Sequence, residues 1–168
     1  MGVTNKLNVH YAYPYDEFSD QSLVTWLQSF LDGTLNRTRV SLPVPTSQGA
    51  VRQIVGDNFQ AEVMDNEQDV LVYFRSDHCG SSKKFDPVWA DLVDKLSGKA
   101  STLILATADG WSNDWPDWVN VVGLPDVRLF PGDAKESSKR FHGDRTVQNI
   151  LKWFNTYALN PIEAHDEL

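Results

Sequence analysis

The sequence of 168 residues is poor in cysteine: Cys79 stands alone. No internal disulfide can form, which excludes a small secreted scaffold stapled by bridges. One cysteine and four scattered histidines also lack the ligand spacing of a metal centre, and no cofactor is expected. Basic residues are the minority, 15 against 23 acidic ones, for a net charge of -8. That balance speaks against nucleic acid as a partner, because phosphate binding needs clustered Lys and Arg. It also speaks against an anionic membrane surface. No apolar run approaches the roughly 20 residues that span a bilayer, so no membrane insertion is expected. The opening Met1-Gly2-Val3-Thr4-Asn5-Lys6 lacks the apolar stretch and cleavage site of a secretory signal. No internal repeat is visible.

What is present suits one domain with additional segments. Leu23, Trp26, Leu27, Phe30 and Leu31 recur at helical spacing within residues 18–33, with Ser19 or Asp20 as cap and Gly33 as stop. Residues 34–50 have no periodicity and contain Pro43, Pro45 and Gly49, the pattern of a linker. From residue 51 onward the pattern alternates. The sequence predicts strands at 51–55, 69–74, 102–106 and 127–130, with 138–141 pairing as a hairpin. It predicts helices at 58–64, 79–97, 112–120 and 146–158. The run Val70-Leu71-Val72-Tyr73-Phe74 suits a central strand buried on both faces. Pro87 removes a backbone donor inside the second of these helices and is expected to kink it. The order βαβαβαββα gives an α/β class with helices on both faces of a mixed sheet.

Cys79 falls just after that central strand, at the start of a helix. Backbone N–H groups and the helix dipole at such a point favour thiolate, the reactive form of the side chain. The flanks Ser76-Asp77-His78 and Gly80-Ser81-Ser82-Lys83 are polar, which argues for an exposed thiol rather than a structural one. The C-terminus reads His165-Asp166-Glu167-Leu168, a retrieval signal read by a receptor of the endoplasmic reticulum. Such a signal has meaning only after entry into the secretory pathway. The chain is therefore expected to be the C-terminal piece of a longer protein. Asn36-Arg37-Thr38 is a glycosylation sequon usable in that compartment.

From Val51 to Ala158 the chain resembles the last catalytic thioredoxin domain of the protein disulfide isomerases. That family shows V-F-V-E-F, then W-C-G-H-C-K, then P-x-W in the same helix. Here stand Val70 to Phe74, then His78-Cys79-Gly80-Ser81-Ser82-Lys83, then Pro87-Val88-Trp89. The family's cis-proline motif looks like Leu124-Pro125-Asp126, with Asp in place of Thr. Its N-G-x-R-T looks like His142-Gly143-Asp144-Arg145-Thr146. Residues 1–33 look like the end of a preceding thioredoxin-like domain, 34–50 the linker, 51–158 the thioredoxin domain and 159–168 a tail with the retrieval signal. The departures are specific. Ser82 stands where the resolving thiol belongs, and His78 where the tryptophan belongs. Tyr73 replaces the buried glutamate relay, and Thr107 its lysine partner.

The resemblance implies a thioredoxin fold and thiol–disulfide exchange on folding secretory proteins in the endoplasmic-reticulum lumen. With Ser82 the site has one thiol: it can form mixed disulfides, and release needs a substrate thiol or glutathione. The residues implied for catalysis are Cys79, Ser82, His78 and Arg145. Gly80, Ser81, Leu124 and Pro125, the last in cis, would meet an extended client. Two alternatives stay open. One is a redox-inactive module that holds unfolded chains through apolar contact, for which Trp111, Trp115 and Trp118 offer a surface. The other is a Cys-to-Ser variant of an ordinary dithiol isomerase, to which Tyr73, Thr107 and His78 run counter.

Overall fold

In the computed structural model, the described residues are 2–4, 10–35, 39–99 and 101–162. They form two units, Met1–Val40 and Ser41–Leu168. The retrieval signal His165 to Leu168 and the sequon residue Asn36 lie outside the described residues.

In the first unit, β1 (Gly2–Thr4) pairs antiparallel with β2 (His10–Ala12), and α1 (Asp20–Leu31) follows. Ser19 caps α1: its hydroxyl accepts from the Ser22 backbone N–H at 3.1 Å, satisfying one of the orphan donors of the first turn. Trp26 is the buried residue of α1, and Tyr13 packs edge-on to it and stacks on Phe18.

The second unit is built around β4 (Asp69–Arg75). The five-stranded sheet has the order β3-β5-β4-β6-β7, from β3 (Val51–Ile54), β5 (Leu103–Asp109), β6 (Asp126–Phe130) and β7 (Lys139–Arg140). β3, β5 and β4 run parallel, and β6 pairs antiparallel with both β4 and β7, which gives the mixed sheet the sequence predicts. Side chains of successive residues leave a strand on opposite faces. Val70, Val72 and Phe74 accordingly enter one cluster with Phe59 and Trp115, while Leu71 and Tyr73 enter another with Phe85, Trp89 and Phe154. Val70 to Phe74 form an unbroken apolar run because both faces of β4 are packed. Each fully buried side chain of this size contributes about 2 kcal/mol by leaving water.

The second cluster lies beneath α2 (Gly80–Leu96) and α3 (Val147–Tyr157). α2 contributes Phe85, Trp89, Leu92 and Leu96 at helical spacing, and Pro87 sits within it. Thr146 caps α3. The other face is covered by shorter pieces. A 3-10 turn at Gly56–Asn58 runs into a π-helical turn at Gln60–Met64, in place of the regular helix expected over 58–64. The helix expected over 112–120 does not form: only Asp117–Val119 make a 3-10 turn. The Asp109 carboxylate instead accepts from the backbone N–H groups of Trp111 and Ser112, a local bond that competes with helix. The left-handed Asn120, φ 37°, ends the turn. The expected hairpin strand over 138–141 is reduced to Lys139–Arg140.

Candidate active site at the start of α2

β4 ends at Arg75, and a tight turn returns the Cys79 N–H to the Ser76 carbonyl at 3.0 Å. Cys79 is the extended N-cap residue of α2, and its carbonyl accepts the Lys83 N–H at 3.1 Å. The thiol is half-buried. Its pKa is lowered from the ordinary value of a free thiol. The Ser82 hydroxyl contributes most by donating to the thiolate, then the Ser82 backbone N–H; partial desolvation opposes them, and the Ser81 N–H adds to the lowering. In its neutral form the Cys79 S–H faces the Leu124 carbonyl oxygen at 3.7 Å. That contact suits the protonated form.

Ser82, the residue at the expected resolving position, is fully buried. Its Oγ accepts from the Ser76 N–H at 3.4 Å. Gly80 and Ser81 are exposed in the first turn of α2. His78 is exposed in the preceding turn, its backbone N–H on the Ser76 hydroxyl at 3.3 Å. Asp77 is turned outward and pairs with Arg75 at 2.8 Å, so its charge is compensated there.

The Leu124–Pro125 peptide bond is cis. The carbonyl that faces the thiol is the carbonyl of that same peptide unit. Pro125 is buried just before β6, and its own carbonyl accepts from the exposed Arg145 at 3.2 Å. The structure thus brings Cys79, Ser82, Leu124, Pro125 and Arg145 to one end of the sheet, although they come from three separate stretches of chain. The three tryptophans do not share one surface. Trp115 is buried against Phe59 and Phe74, whereas Trp111 and Trp118 remain exposed, which removes Trp115 from the expected client surface.

Tyr73 and Thr107, the two departures from the charged relay, are directly paired across β4 and β5. Tyr73 is fully buried, and its hydroxyl lies 3.0 Å from the Ser82 carbonyl and 2.9 Å from Asp86 Oδ1. Burial above all, then the Asp86 carboxylate, pushes its pKa well above that of an ordinary phenol, so it stays protonated. The role of Asp86 and Arg75 escapes the sequence reading. The signal for it is there: Tyr73 and Arg75 share one face of β4, and α2 crosses that face in its second turn. A second unforeseen feature is Asp126, fully buried between Arg128 at 3.0 Å and Arg140 at 3.2 Å. Among the described residues, no cluster of His, Cys, Asp and Glu could hold a metal ion, and no helix is long and apolar enough to cross a membrane.

Residues 50–156 match the thioredoxin family. The chain is 33% identical over 155 residues to protein disulfide-isomerase A3 of Gallus gallus, covering 90% of this chain and 30% of that protein. It is 33% identical over 161 residues to protein disulfide-isomerase A4 of Homo sapiens, covering 94% of this chain and 25% of that protein. It therefore spans between a quarter and a third of the length of these relatives. Among solved structures, it is similar to the first thioredoxin domain of mouse protein disulfide-isomerase A4, with a TM-score of 0.58 and 20% identity over 74% of this chain and 88% of that one. The first two thioredoxin domains of Naumovozyma dairenensis Eps1p are also similar, with a TM-score of 0.55 and 21% identity over 69% of this chain and 44% of that one. At these identities the structures bear on the fold alone.

Proposed function

The chain belongs to the thioredoxin family, and from that premise we propose that it carries out thiol–disulfide exchange on folding secretory proteins through the single thiol of Cys79. Homology to protein disulfide-isomerases supports exchange chemistry in general. The observation that carries the one-thiol reading is the geometry at the N-terminus of α2. A half-exposed thiol, lowered in pKa chiefly by Ser82, faces the carbonyl of a cis-proline peptide.

In the proposed reaction, Cys79 thiolate attacks one sulfur of a client disulfide. The Cys79–client S–S bond forms, the client S–S bond breaks, and the other client sulfur leaves as thiolate. A second client thiolate, or glutathione, then attacks the mixed disulfide and releases Cys79 as thiolate. No net oxidation occurs, because Ser82 cannot store the oxidising equivalent. Ser82 is the donor that steadies the thiolate; protonated His78 would add positive charge beside it. Arg145, bound to the Pro125 carbonyl, is a positioning residue for the proline loop. Leu124, Pro125, Gly80 and Ser81 would border an extended client.

The matches to relatives run over 90% or more of the chain and so extend beyond residues 50–156. This supports reading 1–33 as the end of a preceding thioredoxin-like domain, 34–50 as linker, 51–158 as the thioredoxin domain and 159–168 as the tail. The tail sequence His165 to Leu168 supports residence in the endoplasmic-reticulum lumen and a retrieval receptor as partner. A redox-inactive, client-holding role draws on the exposed Trp111 and Val122. Recovery of a scrambled disulfide protein in a glutathione buffer separates the two. Loss of the acceleration in Cys79→Ala supports exchange; equal acceleration by Cys79→Ala supports holding.

A further inference from the structure

Tyr73 has no step in the proposed exchange, yet its hydroxyl points at the turn that carries the thiol. Its ring is fixed by Phe85 and Trp89, with centroids at 5.0 and 5.2 Å. The hydroxyl lies between the Ser82 carbonyl and Asp86 Oδ1. Asp86 is gripped by Arg75 through both oxygens, each at 3.1 Å, and Arg75 reaches forward to Asp77 in the turn before the thiol. Ser82 in turn is fixed from the other side by the Ser76 N–H. The end of β4, the turn 76–78 and the first two turns of α2 are thus tied together by Tyr73, Arg75 and Ser82. The ionic groups around it are Arg75, Asp86 and Asp77; Thr107, its partner across the sheet, is uncharged.

We infer that Tyr73 is a positioning residue for Cys79: its hydroxyl, shared between the Ser82 carbonyl and Asp86, steadies the first turns of the helix that begins at the thiol. The inference rests on the exchange proposed for Cys79. A buried carboxylate in this place could take and return protons. A phenol whose proton is held on by burial and by Asp86 cannot do so near neutral pH, and serves as a brace. The arrangement suits a site with no second thiol to deprotonate. What remains to be controlled is the direction of one hydrogen bond.

The test is the pH dependence of Cys79 alkylation by iodoacetamide in the full chain, for the unaltered protein, Tyr73→Phe, Ser82→Ala and the double variant. Tyr73→Phe keeps the ring and its packing. It is expected to raise the alkylation midpoint by about half a pH unit, which slows alkylation well below the midpoint about threefold. Ser82→Ala is expected to raise it further, and the double variant to match Ser82→Ala alone, since Tyr73 acts through Ser82. An unchanged or lowered midpoint in Tyr73→Phe, whatever its melting temperature, would overturn the inference. So would full additivity in the double variant. A high midpoint in the unaltered protein would count against a reactive thiol. The differences between variants decide the role of Tyr73 in either case.

Discussion

The sulfur of Cys79 stands 3.7 Å from the carbonyl oxygen of Leu124, the carbonyl of the cis peptide bond to Pro125. The thiol and the proline loop therefore meet although 45 residues separate them. Ser82 completes the arrangement from behind, and its replacement is the most direct way to alter the chemistry.

Ser82→Cys should convert the one-thiol site to a pair. Ser82 is three residues after Cys79, within one helical turn, and is the main influence that lowers the thiol pKa. Oxidised glutathione is expected to close a disulfide between Cys79 and the introduced thiol, leaving no free thiol, and dithiothreitol to reopen it. Closure should be slow, because Tyr73 supplies no carboxylate to take the second proton. Thiol titration checks this; two thiols that persist under oxidation would show that the side chains are not in bonding reach.

Asp126 takes the place of the family's threonine after the cis-proline, and its charge is paired with Arg128 and Arg140. Arg128 also donates to the carbonyls of Val119 and Asn120, at the end of the loop that leads to Leu124. Asp126→Thr should leave Arg128 buried without its counter-charge and cost about 3–5 kcal/mol. The double variant Asp126→Thr/Arg128→Met should recover part of that loss. Urea unfolding measures both, and a neutral single variant would mean that the pair is poorly desolvated.

Lys135 donates its ammonium to the carbonyls of Gln68 and, at 3.3 Å, Phe130. Burial pulls its pKa down to about 8, against the nearby Asp69 charge, which raises it. In the unfolded chain it titrates near 10.4. Between these values the unfolded state holds more protons, so this group makes stability rise with pH. Below about pH 8 the full cost of burying the charge is present. The stability of the unaltered protein relative to Lys135→Met should therefore increase from pH 7 to pH 10, by roughly 3 kcal/mol at most. A flat difference across that range would contradict the lowered pKa.

β4, β5 and the central stretch of α2 are legible in the sequence because their apolar patterns are dictated by packing on one or both faces. The thiol at the helix start follows from the same pattern. Loop 110–124 is not legible. Trp115 looks like part of a helical stripe, but it reaches the core from a loop whose backbone is set by Asp109 and Asn120. The Asp126 cluster is hidden for another reason: Arg140 arrives from the next strand, and only the register of β6 with β7 brings it there. Tyr73 reads in sequence as a lost charge, and only the bonds to Ser82 and Asp86 give it a part.

The central claim is that Cys79 is a reactive thiol without a second sulfur. It is tested most directly by the pH dependence of its alkylation in the folded chain. The lowering by the Ser82 hydroxyl and the first-turn N–H groups predicts a midpoint below the free-cysteine value of about 8.5, with complete labelling under native conditions. A midpoint at or above that value, or a thiol that labels only after unfolding, would contradict the account.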